Sequence, residues 1–212
     1  MRLIHTALFA AIATLGLTAC NKPADTTPEA TPAADTAPAA DAAAAANDAP
    51  PAMMSSDAHA NHTAMAELAP TQGNDVKGSI TFSVVDGKVH AKGEVTGLKP
   101  NSEHGFHIHE TGDCSAPDGA SAGGHFNPGK EDHGSVAASP HHGGDMPNIK
   151  ADADGKAVVD TDVSTNVNIG KADDFDIVGR GLIVHADPDD YKTQPTGNAG
   201  ARLACAVIKA AP

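Results

Sequence analysis

The sequence predicts an all-β domain, an antiparallel Greek-key β-sandwich or barrel with two long functional loops, preceded by a disordered tether. Three observations carry this reading. From about residue 74 onward, short segments alternate apolar and polar side chains and are separated by turn residues. No stretch in that part of the chain holds a helical period. The segment before it is rich in Ala, Pro, Thr and Asp and too poor in large apolar side chains to order itself.

The strands follow in order. Lys77 to Val85 (KGSITFSVV) alternates Ile80, Phe82 and Val84 with polar neighbours, which gives it one apolar face. Asp86-Gly87 then supplies a hairpin turn, because both residues tolerate the positive φ that a tight two-residue turn demands. Lys88 to Thr96 is the returning strand, and Gly105 to Glu110 is a third. Lys156 to Val163 follows a second Asp-Gly at 154–155, and GLIVH (181–185) and ARLACAVI (201–208) complete the set. With no Trp and few aromatics, the domain can still build a core from Val, Ile and Leu. Residues 111 to about 150 and 186 to about 200 carry no regular pattern, and long ordered loops in a compact domain are usually functional.

The first twenty residues, MRLIHTALFAAIATLGLTAC, read as an export signal. Arg2 is the positive start, and Leu3 to Leu17 is a mostly apolar stretch too short for a comfortable membrane span. Leu17-Thr18-Ala19-Cys20 resembles the bacterial lipobox, which implies cleavage before Cys20 and a lipid on its sulfur. Asn21 resembles the second residue of lipoproteins sorted to the outer membrane. The expected organisation is therefore a signal peptide at 1–19, an Ala/Pro-rich tether at 20–73 and a folded domain at 74–212. The expected location is the bacterial periplasm, with the lipid anchor as the only membrane contact.

Charge removes one function class. The chain has 14 basic and 27 acidic side chains, a formal net charge of −13. Residues 71–212 keep the same sign, with 12 basic and 20 acidic residues. Such a domain offers no basic face to nucleic acid. Of the three cysteines, a lipidated Cys20 leaves Cys114 and Cys205 in an oxidising space, so a disulfide between them is expected. It would close a loop worth on the order of 4–5 kcal/mol in the chain-entropy picture.

Eight of the 12 histidines fall between His104 and His185. Strand geometry puts His107 and His109 on one face of GFHIHE, while Phe106 and Ile108 point to the other. His125, His133 and His142 come from the first long loop, with Asp145 three residues after His142, and His185 ends the strand GLIVH. A lone loop histidine is ordinarily just solvated. A set of two same-face strand histidines, three loop histidines, a carboxylate and a strand-end histidine points instead to metal. An all-imidazole site suits copper, and imidazoles with one carboxylate suit tetrahedral zinc. Spacing alone leaves open two sites, or one site with spare ligands.

GFHIHE, GGHFNP, HGGD, LIVH and GNAGARLAC, in this order, resemble the bacterial copper–zinc superoxide dismutases over roughly residues 75 to 210. The resemblance implies one copper and one zinc per subunit. It implies that His107, His109, His125 and His185 bind copper and that His125, His133, His142 and Asp145 bind zinc, so that His125 bridges the two. The His-Gly-Gly-Asp spacing of that family selects His142 over its neighbour His141. The Cys114–Cys205 pair matches the family disulfide. Arg202 matches the arginine beside the copper, a fixed cation for an arriving anion. His125 is implied as the proton-carrying catalytic group. Asp189 is implied as the carboxylate joining a ligand histidine of each metal, with Asp190 as an adjacent competitor. The implied reaction is dismutation of superoxide to molecular oxygen and hydrogen peroxide, an antioxidant defence of the bacterial envelope.

An acidic domain can serve an anionic substrate if its cleft is locally positive, and Arg202 with two metal cations would make it so. Lys192 in the second loop is a further candidate for that field. The main alternative is a non-catalytic copper- and zinc-binding envelope protein of the same fold. Relatives differ in whether they pair, so a homodimer stays open. The segment MMSSDAHANHTAM (53–65) holds Met53, Met54, His59, His62 and Met65, all soft ligands that would suit copper capture.

Overall fold

The computed structural model describes residues 62–212. The strands are β1 (Thr63–Pro70), β2 (Lys77–Val85), β3 (Lys88–Thr96), β4 (Glu103–His104), β5 (Phe106–His109), β6 (Ile149–Lys150), β7 (Ala157–Asp162), β8 (Gly181–His185), β9 (Arg202–Val207) and β10 (Lys209–Ala210). Among the described residues the only helical element is a 3-10 turn at Ala120–Ala122.

The main sheet is antiparallel, in the order β5-β8-β9-β1-β2-β3-β7, with β10 added to β1. The short β4–β6 ladder joins its two edges. On one side β4 runs through Gly105 into β5. On the other, β6 turns into β7 at Asp152, whose N–H donates to the Lys156 carbonyl at 2.9 Å. The sheet therefore closes on itself. The chain makes the β1-β2-β3 meander, crosses to β5, returns to β7 beside β3 and crosses again to β8, which is the Greek-key pattern.

The core lies inside this barrel. Ile80 and Phe82 of β2, Val89, Ala91 and Val95 of β3, and Leu182 and Val184 of β8 point inward and are buried. Each large apolar side chain so buried stabilises the fold by about 1.5–3 kcal/mol. Val84, expected on the same face as Ile80 and Phe82, sits at the hairpin end and remains 46% exposed.

One expected boundary is corrected. The tether is expected to run to residue 73, yet Thr63–Pro70 is a full strand between β2 and β9. Its inward side chains, Ala64, Ala66 and Leu68, are small, so the strand lacks a strong apolar signature and blends into the Ala- and Pro-rich sequence before it. The expected signal peptide, Cys20 and the tether up to residue 61 lie outside the described residues. So do Met53, Met54 and His59. Met65 faces outward from β1 beside Glu67, Cys114 and Cys205, while His62 lies beside Val84, Asn168 and Phe175. These two members of the soft-ligand segment are therefore not brought together.

Strand β5 links the core to the histidine cluster. All four of its residues are buried. Phe106 and Ile108 enter the core, and His107 and His109 project from the other face, fully covered by the two long loops.

Candidate metal centre

The first long loop returns along β5. Glu110 N–H donates to the Gly124 carbonyl and Phe126 N–H to the Ile108 carbonyl, each at 2.9 Å, which lays His125 beside His109. A second pass places Gly144 against the same strand, with Ile108 N–H donating to the Gly144 carbonyl at 2.9 Å. A β-carbon on Gly144 would overlap the Ile108 carbonyl oxygen, so the glycine of HGGD is what lets Asp145 approach.

Two groups of ligand atoms result. One ring nitrogen from each of His107, His109, His125 and His185 lies within 4.8 Å of the others. The same limit holds for His125, His133, His142 and Asp145. All seven residues are buried, and His125 belongs to both groups.

Hydrogen bonds fix which nitrogen faces inward. His109 Nδ1 donates to the Gly123 carbonyl at 2.9 Å and His185 Nδ1 to the Gly200 carbonyl at 3.2 Å. Each Nε2 is then left with a lone pair, and the two stand 3.3 Å apart. His107 Nε2 donates to Asp189 Oδ2 at 2.9 Å. That leaves His107 Nδ1 buried without a partner, as is His125 Nε2. Four imidazole lone pairs converging in a buried space, two of them orphaned, fit a cation and little else. An all-imidazole set of this kind suits copper.

The second group is organised by Asp145. Its Oδ2 accepts from the main-chain N–H groups of Gly134 at 3.0 Å and His142 at 2.8 Å. Its Oδ1 faces His125 Nδ1 at 2.8 Å, His133 Nδ1 at 2.9 Å and His142 Nδ1 at 3.5 Å. Three imidazoles and one carboxylate oxygen suit zinc. His141 is turned away: its Nδ1 donates to the Ala138 carbonyl at 2.6 Å, and its Nε2 meets Ser164 Oγ at 3.0 Å.

Burial favours neutral His109, His125 and His185, the state in which an imidazole binds a metal, whereas the acids around His133 favour its charged form. Burial lowers the pKa of His125 to about 4, against the pull of Asp145, and lowers that of His185 to about 3. Burial also lowers His109. For His133, burial acts downward too, but its hydrogen bonds to Asp145 and Asp189 prevail and raise it to about 9. Burial opposes ionisation of Asp145 and Asp189, yet their histidine partners hold both carboxyls well below the usual range.

Asp189 joins the two groups. Its Oδ2 meets His107 Nε2 and its Oδ1 meets His133 Nε2, both at 2.9 Å. Asp190 does something else, capping the next turn by accepting from Lys192 N–H, Thr193 N–H and Thr193 Oγ1. Residues that the sequence did not single out hold Asp189 in place. Asn148 Nδ2 donates to the Asp189 carbonyl and Asn148 Oδ1 accepts from Asp189 N–H, each at 2.9 Å. Tyr191 Oη accepts from Asn148 N–H at 2.8 Å. His104, also unassigned, donates from Nδ1 to the His185 carbonyl at 2.7 Å and so fixes the main chain of His185.

Arg202 pairs with His185 across the β8–β9 ladder at a register shift. Its guanidinium donates to the Gly119 carbonyl at 2.7 Å and the Gly123 carbonyl at 2.6 Å, and Gly123 also receives His109. Arginine has five N–H donors, so some remain for an anion. Cys114 and Cys205 are disulfide-bonded, with Cα atoms 5.8 Å apart. The bond ties the start of the first loop to β9 and keeps the 119–123 segment against Arg202. Lys192 is exposed in the second loop.

The family model for copper/zinc superoxide dismutase (SODC) matches residues 76–208. The chain belongs to that family. It is 40% identical over 160 residues to superoxide dismutase [Cu-Zn] 2 of Aquifex aeolicus (strain VF5), covering 74% of this chain and 92% of the relative. It is 43% identical over 113 residues to the superoxide dismutase-like protein YojM of Bacillus subtilis (strain 168), covering 52% of this chain and 58% of that one. A solved structure, the crystal structure of the clock protein EA4, matches with a TM-score of 0.63 at 37% identity, covering 71% of this chain and 96% of that one. As a copper/zinc superoxide dismutase, the protein takes copper and zinc as cofactors and dismutes superoxide.

Proposed function

We propose that His107, His109, His125 and His185 hold the copper, that His125, His133, His142 and Asp145 hold the zinc, and that Arg202 receives superoxide. The observation that carries this is His125. It alone belongs to both groups, with its unpartnered Nε2 in the first and its Nδ1 in the second.

When bound, copper supplies alternating one-electron oxidation and reduction, and zinc supplies a fixed charge with no redox chemistry. The chain does the rest. Gly123 accepts from both His109 and Arg202, so one carbonyl sets a ligand ring and the guanidinium together. Arg202 orients the anion and gives the acidic domain a locally positive cleft. His125 Nε2 is the atom that takes up and delivers a proton, since two superoxide ions and two protons give one O₂ and one H₂O₂. The loops exclude bulk water, leaving His107 and His109 with no exposed surface.

The disulfide and the bacterial relatives support an extracytoplasmic protein. The finer reading is a periplasmic enzyme tied to the outer membrane by lipid on Cys20, and it rests on the run LTAC. Because Thr63–Pro70 is a strand of the sheet, the tether in this reading ends before residue 63.

Metal analysis of loaded variants tests the assignment. His109→Ala is expected to lose copper and keep zinc, and His142→Ala to lose zinc and keep copper. His125→Ala should weaken both, and His141→Ala neither. Equal loss of both metals from all four variants would overturn the division into two sites.

A further inference from the structure

His133 lies in a loop with no regular secondary structure, and its ring nitrogens are both engaged, Nδ1 toward Asp145 and Nε2 toward Asp189. Its main chain is held by one side chain from the other long loop. His133 N–H donates to Gln194 Oε1 at 2.9 Å, and Gln194 Nε2 donates to the His133 carbonyl at 2.9 Å. A neighbouring strand would satisfy a residue in the same way, with two bonds to one N–H and one C=O. Here a single carboxamide does it.

Gln194 is itself exposed, and fixing a long surface side chain opposes its rotamer entropy. The surrounding turn limits that cost. Asp190 caps the turn through Lys192 and Thr193, Asp190 N–H donates to the Gly197 carbonyl at 2.9 Å, and Gly197 N–H donates to the Thr193 carbonyl at 2.7 Å. The segment from Asp189 to Gly197 therefore grips His133 at three points, its ring through Asp189 and both backbone groups through Gln194.

From this we infer that Gln194 is a positioning residue for the zinc site. The inference rests on the zinc assignment above. Anchoring both the N–H and the C=O of His133 fixes its Cα, so Nδ1 is delivered to the position beside Asp145 Oδ1 and the nitrogens of His125 and His142. Gln194 touches no reacting atom. Its effect is on how tightly and in what geometry zinc is held. It also fastens the zinc loop to the loop that leaves His185, separately from the Asp189 contact.

The test compares the full chain with Gln194→Ala, Gln194→Glu and His142→Ala. The readouts are zinc affinity by chelator competition, the rate of zinc release to chelator, the visible spectrum of cobalt(II) at the zinc site, and urea stability with and without zinc. Partners that orient a metal ligand typically change affinity about 10–100-fold when removed, so Gln194→Ala should release zinc at least about tenfold faster. It should also shift the cobalt spectrum and destabilise the zinc-loaded protein more than the metal-free one. Gln194→Glu keeps the acceptor for His133 N–H but loses the donor, and should fall between. Unchanged zinc affinity and cobalt spectrum in Gln194→Ala, with equal destabilisation of metal-free and zinc-loaded protein, would reduce Gln194 to a loop fastener and overturn the inference. His142→Ala separates the two failures. If it loses zinc while Gln194→Ala does not, the site stands and the inference falls. If it too binds zinc as the parent does, the zinc assignment itself is wrong.

Discussion

Gly197→Ala would send a methyl group into the contact that joins the two candidate ligand groups. The new β-carbon would overlap Asp189 Oδ1 and stand 2.7 Å from His133 Nε2. Asp189 has no room to yield. Its main chain is bonded twice to Asn148, and its carboxylate is held by His107, His133 and Tyr191 N–H. The substitution also places alanine at φ 65°, a left-handed backbone that opposes an L side chain by about 1–2 kcal/mol. Losing the two histidine bonds adds about 1.5–3 kcal/mol each, since each involves a charged group. The expected total is about 4–8 kcal/mol, comparable with the whole stability of a domain this size. Gly73→Ala is the matched control, because Gly73 has φ 82° but its β-carbon would meet nothing within 4 Å. It should show only the backbone part, about 1–2 kcal/mol. Urea unfolding of the metal-loaded proteins, followed by zinc analysis after dialysis against chelator, measures both. Similar stability losses and full zinc retention in the two variants would refute the reasoning that Asp189 is immobile and couples the sites.

Three further outcomes are expected. Arg202→Ala should keep both metals but lower kcat/KM about tenfold or more and flatten its dependence on salt, because the local cation that steers the anion is gone; rates at several ionic strengths check this. A chain begun at residue 74 lacks β1, which pairs with β2 and β9, and should not fold cooperatively, whereas one begun at residue 62 should; thermal unfolding by circular dichroism distinguishes them. His90 bonds Asp162 at 2.9 Å and Asp160 at 2.8 Å, and the Asp162 bond chiefly raises its pKa above 6.5. A raised folded pKa gives stability that is fully present below the unfolded value and lost as pH rises through the folded one. The parent should therefore exceed His90→Gln in stability below pH 6.5, slightly for so exposed a pair, and the gap should narrow as pH rises through the raised folded value.

What the sequence made legible depends on signal strength. β2, β3 and β8 were readable to the residue because large β-branched or aromatic side chains alternate or cluster between turn residues. β1 was not, because alanine packs well between two strands yet looks the same in a solvated linker. β4 and β6 have two residues each, below the length at which alternation exists, although they close the barrel. The candidate metal-binding side chains stand out because imidazoles in strands are unusual enough to need a reason. Asn148 and Gln194 did not, since an amide in a polar loop is unremarkable until its partner is known. Their role lies in bonds to main-chain atoms 41 and 61 residues away, and no local pattern encodes such a pairing.

The catalytic assignment is tested most directly by superoxide decay, followed by its absorbance, in the presence of the protein loaded with copper and zinc and of its His109→Ala variant. Decay should accelerate in proportion to loaded parent protein and return to the spontaneous rate with His109→Ala, which still holds zinc. Spontaneous decay with the fully loaded parent, or undiminished catalysis by His109→Ala, would contradict it.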